Sequence, residues 1–195
     1  MKLIFATNNK NKVEEIKHLT HHKFEILTLQ EVGIDIDIPE PHDTLEANAT
    51  EKSTTIYKLT NEAVFSEDTG LEVAALNGAP GVKSARYAGE GRNMQDNIDK
   101  LLHELKDKPS RAAQFRTVAS LIINGTEYQF EGICKGHITT EQDGTSGFGY
   151  DPVFIPEGSD ITFANMDITE KNKYSHRKKA VQQLIDFLND YQPTI

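Results

Sequence analysis

Cys134 is the only thiol in these 195 residues. No internal disulfide can form, which fits a reducing compartment. The cysteine lies in a strand-like run and reads as a buried structural thiol rather than a nucleophile. No apolar run approaches the roughly 18 residues that a membrane span needs. Bases are in the minority, 21 against 30 acids, for a formal net charge of −9. That balance is a poor match for a nucleic-acid backbone or an anionic membrane. It still permits a local basic pocket for a small anion. The start, Met1-Lys2-Leu3-Ile4-Phe5, is short and soon turns polar, unlike a signal peptide. Cytoplasmic residence is expected. Internal repeats and low-complexity stretches are absent from the sequence. Its length suits one domain, or two closely joined lobes, with a real core.

The stretch that organises the rest is Glu67-Asp68-Thr69-Gly70-Leu71. Apolar Ala63-Val64-Phe65 leads into two adjacent carboxylates, and the apolar pattern resumes at Leu71 and Val73. The pattern predicts a short buried strand, a sharp break carrying the acids, and a second strand. Acids at the end of a buried strand are costly unless a cation meets them, whether a metal, a lysine or a phosphate-bound metal. An acidic turn between strands is the bland alternative.

Leu3 to Ala6 reads as a buried strand. Thr7-Asn8-Asn9-Lys10-Asn11-Lys12 follows, then a helix with Val13, Ile16 and Leu19 on one stripe. Strand, polar loop and helix together aim backbone N–H groups and a positive helix end at an anion. The loop has no glycine, so it is neither a Walker nor a Rossmann loop. Its asparagines can take left-handed conformations and bind a ligand through their amides. An ordinary helix cap with solvated lysines is the alternative.

Phe24 to Leu29 is expected to be a strand, and Ile34 to Ile38 alternates apolar and acidic residues like another, with Asp35 and Asp37 on one face. Prolines at 39 and 41 fix the backbone of Glu40. Asp43-Thr44-Leu45-Glu46 resembles a capping box and opens a helix running to about Asn61. Its apolar stripe, Leu45, Ala49, Ile56 and Leu59, is interrupted by Lys52. A lysine there must either snorkel to solvent or face a negative partner.

Glycine and proline at 77–81, then Ser84-Ala85-Arg86-Tyr87, mark a shaped loop. Asn93 caps a helix with Met94, Ile98, Leu101 and Leu105 on its stripe. Phe115 to Ile123 and Thr126 to Cys134 form a hairpin about Asn124-Gly125, so the sheet is mixed. Gly147-Phe148-Gly149-Tyr150-Asp151-Pro152 interleaves aromatics with glycine where a flat ligand could stack. Val153 to Ile155 is a strand. The last helix begins at Ser175 and buries Val181, Leu184, Ile185 and Leu188. His176 and Arg177 lie in its first turn, where cations oppose the helix dipole. A ligand explains them better than stability does.

Taken together, these residues resemble the ITP/XTP pyrophosphatases, house-cleaning nucleotidases acting on non-standard purine nucleoside triphosphates. The likeness runs through Thr7, Asn9 and Lys12; Asn48-Ala49-x-x-Lys52; Asp68-Thr69-Gly70-Leu71; and Gly78-Ala79-Pro80-Gly81 with Ser84-Ala85-Arg86-Tyr87. It continues through Gly147 to Pro152 and Ser175-His176-Arg177. The chain departs from the pattern at Leu45-Glu46-Ala47-Asn48-Ala49, where a glutamate is displaced by one position. It also departs at Glu67-Asp68-Thr69, where Asp-Asp-Ser is common, and at Asn8, where glycine is common.

The resemblance implies an α/β fold, a long mixed β-sheet flanked by helices, with residues 1–195 forming one domain of two lobes around a deep substrate cleft. It implies cleavage between the α and β phosphates of ITP, dITP or XTP, with Mg²⁺ as cofactor, in a homodimer that binds neither nucleic acid nor membrane. Asp68 is then the general base and, with Glu40, a metal ligand. Glu67 assists through a water. Substrate contacts fall to Thr7, Asn8, Asn9, Lys10, Asn11, Lys12, Lys52 and Thr69. Phe148, Gly149, Tyr150 and Asp151 are further substrate contacts, with Phe148 stacking on the purine. Lys171, His176 and Arg177 donate to its oxo groups. The alternatives are a related pyrophosphatase for another modified nucleotide and a non-catalytic nucleotide sensor.

Overall fold

Leu3 and Phe5 point to one face of a strand while Ile4 and Ala6 point to the other, and all four are buried. Such a continuous apolar run needs cover on both faces, and the fold supplies it. The structure is a computed structural model describing residues 1–20 and 24–192. The chain divides into two compact units: Met1–Asp68, Thr117–Gly132 and Arg177–Ile195 form the first, and Thr69–Arg116 and Ile133–His176 the second.

In the first unit, β1 (Lys2–Phe5) pairs in parallel with β2 (Glu25–Thr28) and with the start of β3 (Val64–Val73). Ile16 of α1 (Lys10–Thr20) and Val181, Leu184 and Ile185 of α5 (His176–Asp190) pack against Leu3, Phe5 and Phe65. The rings of Phe5 and Phe65 stack with centroids 4.4 Å apart. Ile56 of α2 (Leu45–Thr60) covers the opposite face with Ile4, Ala6, Ile38 and Val64. Helix α2 starts at Thr44, whose hydroxyl accepts the Ala47 N–H, and stops at Asn61 in the left-handed conformation, as its sequence predicts.

The second unit holds the end of β3, β4 (Pro80–Gly81), α3 (Met94–Glu104), β7 (Phe154–Pro156) and α4 (Ile168–Tyr174). Strand β4 runs antiparallel to β3, pairing Leu71 with Gly81. A Cβ on Gly70 would lie 2.7 Å from the Gly81 carbonyl oxygen, so only glycine lets these backbones approach. Ile98, Leu101 and Leu105 pack with Phe115, Phe154, Phe163 and Cys134. Strands β5 (Ala112–Ile123) and β6 (Thr126–Ile138) join through Asn124 and Gly125, both at positive φ, the hairpin turn this dipeptide favours. Strand β6 pairs antiparallel with β7. The sheet order is β2-β1-β3-β5-β6-β7, with β4 on β3, so the sheet is mixed.

Three expectations need correcting. β3 is unbroken from Val64 to Val73, and both acids lie inside it rather than in a turn. Gly70 lets the strand run close to its neighbour rather than ending it. Ile34 to Ile38 forms no strand. Its alternation is one of burial only, with Ile38 buried and Asp35 and Asp37 exposed. Met94 and Leu59, expected on buried stripes, are exposed. No described helix is long and apolar enough to cross a membrane.

Candidate active site

Alternation along β3 sends Glu67 and Asp68 to opposite faces, and each acid meets its own cations. Glu67 is 1% exposed. Its Oε1 lies 2.9 Å from Lys12 Nζ. Arg177 Nε donates to both of its oxygens, at 3.1 and 3.2 Å. The same guanidinium donates through Nη1 to Glu15. Burial would raise the Glu67 carboxyl, but Arg177 and Lys12 outweigh it and hold the group well below the carboxylate range. The acids also hold Arg177 charged against its burial.

Asp68 faces a different partner. Lys52 Nζ donates to Asp68 Oδ1 at 3.1 Å and to Glu40 Oε1 at 2.6 Å. Lys52 therefore meets negative partners and does not snorkel. Burial works against its charge, but the two carboxylates prevail and raise its affinity for a proton. Asp68 moves upward too: burial is the main cause, and neighbouring Glu40 adds to it against the pull of Lys52 and Lys12. The lysine keeps its proton, and Asp68 is a stronger base than a solvated aspartate.

Glu40 is placed by a loop that α2 anchors. The buried amide of Asn48 accepts the His42 N–H at 2.9 Å and donates to the His42 carbonyl at 3.1 Å. At the start of α1, Asn9 Oδ1 accepts the N–H groups of Asn11 and Lys12. Thr7 Oγ1 accepts that of Asn9, and Asn8 donates to the Ile36 carbonyl. The loop residues therefore cap their own helix, with Asn8, Asn9, Lys10 and Asn11 exposed.

The second unit carries the other constellation. Asp151 Oδ2 accepts the Phe148 N–H at 2.9 Å and Lys171 Nζ at 2.8 Å. Lys171 Nζ lies 5.2 Å from the centre of the Phe148 ring, in cation–π range. Gly147, at φ +79°, has no room for a Cβ, which would meet Asp151 Oδ2 at 2.2 Å. Tyr150 is buried and donates its hydroxyl to the Ser84 carbonyl. The His176 ring stacks on Phe115, with centroids 4.7 Å apart. Thr69 follows Asp68 on β3, half-buried.

The first unit thus brings Lys12, Glu40, Lys52, Glu67, Asp68 and Arg177 into two ion-paired groups. The second joins Phe148, Asp151 and Lys171. Sequence reading missed Glu15 and Asn48 as structural partners. Lys12 and Glu15, three apart beside the Val13–Ile16 stripe, were the available signal for the first. Asn48 stood in the Asn48-Ala49-x-x-Lys52 motif, but nothing in the sequence named His42 as its partner. The basic first turn of α5 also has a protein explanation, since Glu67 and Glu15 receive Arg177. Among the described residues, no group of three or more His, Cys, Asp or Glu stands ready to hold a metal. Glu40 and Asp68 do converge on one point, Lys52 Nζ. One or two carboxylates, with waters and substrate phosphates, are the donor set Mg²⁺ takes, so these residues fit it.

The profile of the Ham1 family matches residues 3–187. The chain is 52% identical to the dITP/XTP pyrophosphatase of Porphyromonas gingivalis over 188 residues, covering 96% of this chain and 97% of that one. It is 51% identical to the dITP/XTP pyrophosphatase of Flavobacterium johnsoniae, covering 96% and 98%. Among solved structures it is similar to a HAM1 protein from Coxiella burnetii, with TM-score 0.90, 34% identity and coverage of 98% and 100%. The match spans both units and nearly the whole of each relative, and this chain belongs to the Ham1 family.

Proposed function

We propose that this chain hydrolyses non-standard purine nucleoside triphosphates, namely ITP, dITP and XTP, to the monophosphate and pyrophosphate. The observation that carries the reading is Asp68: a buried carboxylate with a raised pKa, beside a charged lysine and a second carboxylate. A non-catalytic sensor has no need of such a base. The near full-length relatives named dITP/XTP pyrophosphatase supply the substrate class.

In the proposed reaction Asp68 takes a proton from water. The water oxygen bonds to the α-phosphorus, the bond to the α–β bridging oxygen breaks, and pyrophosphate leaves with that electron pair. The triphosphate brings close to four negative charges, which Lys12 and Lys52 partly offset. Glu40 and Asp68 would hold Mg²⁺, which supplies further charge neutralisation when bound. Glu67 keeps Lys12 and Arg177 in place and is proposed to assist through a water. The α1 entrance, Thr7 to Asn11, and Thr69 are proposed phosphate and sugar contacts.

For the base, Phe148 is proposed to stack on the purine, on a loop that Gly149, Tyr150 and Asp151 shape. Lys171, His176 and Arg177 are proposed donors to the oxo groups. Such donors suit a 6-oxo purine and oppose the 6-amino group of adenine, leaving buried groups unpaired. A homodimer and cytoplasmic residence belong to the same proposal, and sedimentation at micromolar concentration checks the first.

The test is a panel of triphosphates with Mg²⁺, with pyrophosphate and monophosphate measured. Release from ITP, dITP and XTP well above ATP is expected. Activity confined to another nucleotide would favour a related pyrophosphatase, and tight binding without turnover a sensor.

A further inference from the structure

The chain has three methionines, Met1, Met94 and Met166. Met166 is buried at 6% exposure, Met1 is the exposed first residue, and Met94 is 47% exposed. Met94 opens α3, where the Asn93 side chain accepts the N–H groups of Gln95 and Asp96 and fixes the helix start. Its thioether makes a specific contact: Gly149 N–H donates to Met94 Sδ at 3.1 Å. Gly149 stands between Phe148 and Tyr150. Both neighbours are tied to other groups, Phe148 N–H to Asp151 and the Tyr150 hydroxyl to Ser84. The Gly149 contact is therefore where the thioether of an exposed, oxidisable residue meets this loop.

We propose that Met94 is a modification site, a redox latch on the Gly147–Tyr150 loop that a peroxide opens. The sulfur lone pair attacks one peroxide oxygen. An S–O bond forms, the O–O bond breaks, sulfur is oxidised by two electrons, and the peroxide leaves as water after proton transfer. The product is a sulfoxide, polar and bulkier at sulfur. With nitrogen and sulfur only 3.1 Å apart, no room remains for an oxygen between them. Either the sulfoxide turns away and Gly149 loses its acceptor, or the loop moves outward. Both loosen the segment carrying Phe148. The kinetic consequence rests on the proposed stacking of Phe148 on the base; the latch itself does not.

The experiment treats the whole protein with hydrogen peroxide and maps sulfoxides by peptide mass spectrometry. Cys134 is monitored in the same digest. Hydrogen exchange of the peptide spanning 147–150 is then compared before and after. Expected are oxidation of Met94 well ahead of Met166, faster exchange in that peptide, and reversal by a methionine sulfoxide reductase. Met94→Leu, which keeps the bulk and lacks the acceptor, should exchange faster from the outset and be unmoved by peroxide. Oxidised Met94 with unchanged exchange overturns the latch, as does a Met94 no more reactive than buried Met166. KM for ITP should rise about threefold to tenfold, the value of one lost hydrogen bond, with kcat little changed. Faster exchange with unchanged KM would uphold the latch and overturn the stacking role of Phe148.

Discussion

At the scale of the residue, Asp68 and Lys52 put a carboxylate of raised pKa beside a charged ammonium in one buried site. Asparagine at 68 is nearly isosteric but takes no proton from water and binds Mg²⁺ weakly. Asp68→Asn should keep its fold by circular dichroism and lose more than nine-tenths of kcat, at least about 1.4 kcal/mol in the barrier. Because burial and Glu40 raise the Asp68 pKa above 3.8, its basic form disappears as pH falls through that raised value. The acid limb of kcat/KM should therefore lie above the ordinary aspartate range, and a pH–rate profile reads it. Lys52→Met keeps the stem and removes the charge. Glu40 and Asp68 are then left facing each other without their shared partner, so turnover should fall and melting temperature with it. Adding Glu40→Gln should recover stability and not activity, which steady-state kinetics beside melting curves would resolve. A Lys52→Met enzyme with wild-type kinetics would remove the lysine from the chemistry.

At the scale of the element, two side chains tie a loop or a helix start to its neighbours. Asn48 on α2 ties both backbone groups of His42 and so positions the loop bearing Glu40. Asn48→Ala should leave two backbone groups without this partner and weaken the enzyme by roughly tenfold in kcat/KM, at about 0.5–1.5 kcal/mol per hydrogen bond. An unchanged Mg²⁺ dependence in the variant would show that the loop stays in place without it. Arg177 joins the start of α5 to Glu67 on β3 and Glu15 on α1. Arg177→Ala strands two acids and should destabilise by about 3–5 kcal/mol, or roughly 6–20 °C in Tm at this length. Adding Glu67→Gln should return part of that loss. Equal Tm for wild type and Arg177→Ala would contradict the buried pairing. Base choice is then better probed with Arg177→Lys, which keeps the charge and loses the planar fork. The ITP-to-ATP ratio of kcat/KM should fall if the arginine reads the base.

At the scale of the whole molecule, acid stability follows from the buried acids. Glu67 is depressed in the fold from an ordinary value of 4.5. Its contribution is therefore complete above about pH 4.5 and is lost as pH falls toward its folded value. Asp68, raised in the fold, has the opposite sign: its ionisation weakens the fold as pH rises through the raised value. Below pH 4.5 the Glu67 effect governs. Wild-type Tm should drop steeply between about pH 4.5 and 2.5. Glu67→Gln should start lower at pH 7 and lose less on acidification. Parallel Tm curves for the two proteins would show that Glu67 does not set the acid limb.

Local pattern by itself determined much of this protein. The continuous apolar run of β1, the Thr44 cap, the Asn124-Gly125 turn and the apolar stripe of α5 are short-range signals, and the elements follow them. The ordered motifs determined the family resemblance, and through it the roles proposed for Asp68, Lys52 and Lys12. Tertiary structure decided what the pattern left open. Gly70 reads as a strand breaker until Gly81 is seen beside it, and then it is what lets the strand continue. Ile34 to Ile38 alternates like a strand but finds no ladder partner, because alternation records burial and not pairing. The lysine on α2 had two solutions, and only the placement of Glu40 and Asp68 around its nitrogen selected the buried one. Arg177 and Glu15 stand 162 positions apart. No local signal joins residues at that separation, because their attraction acts through space after the sheet and helices have already brought them together.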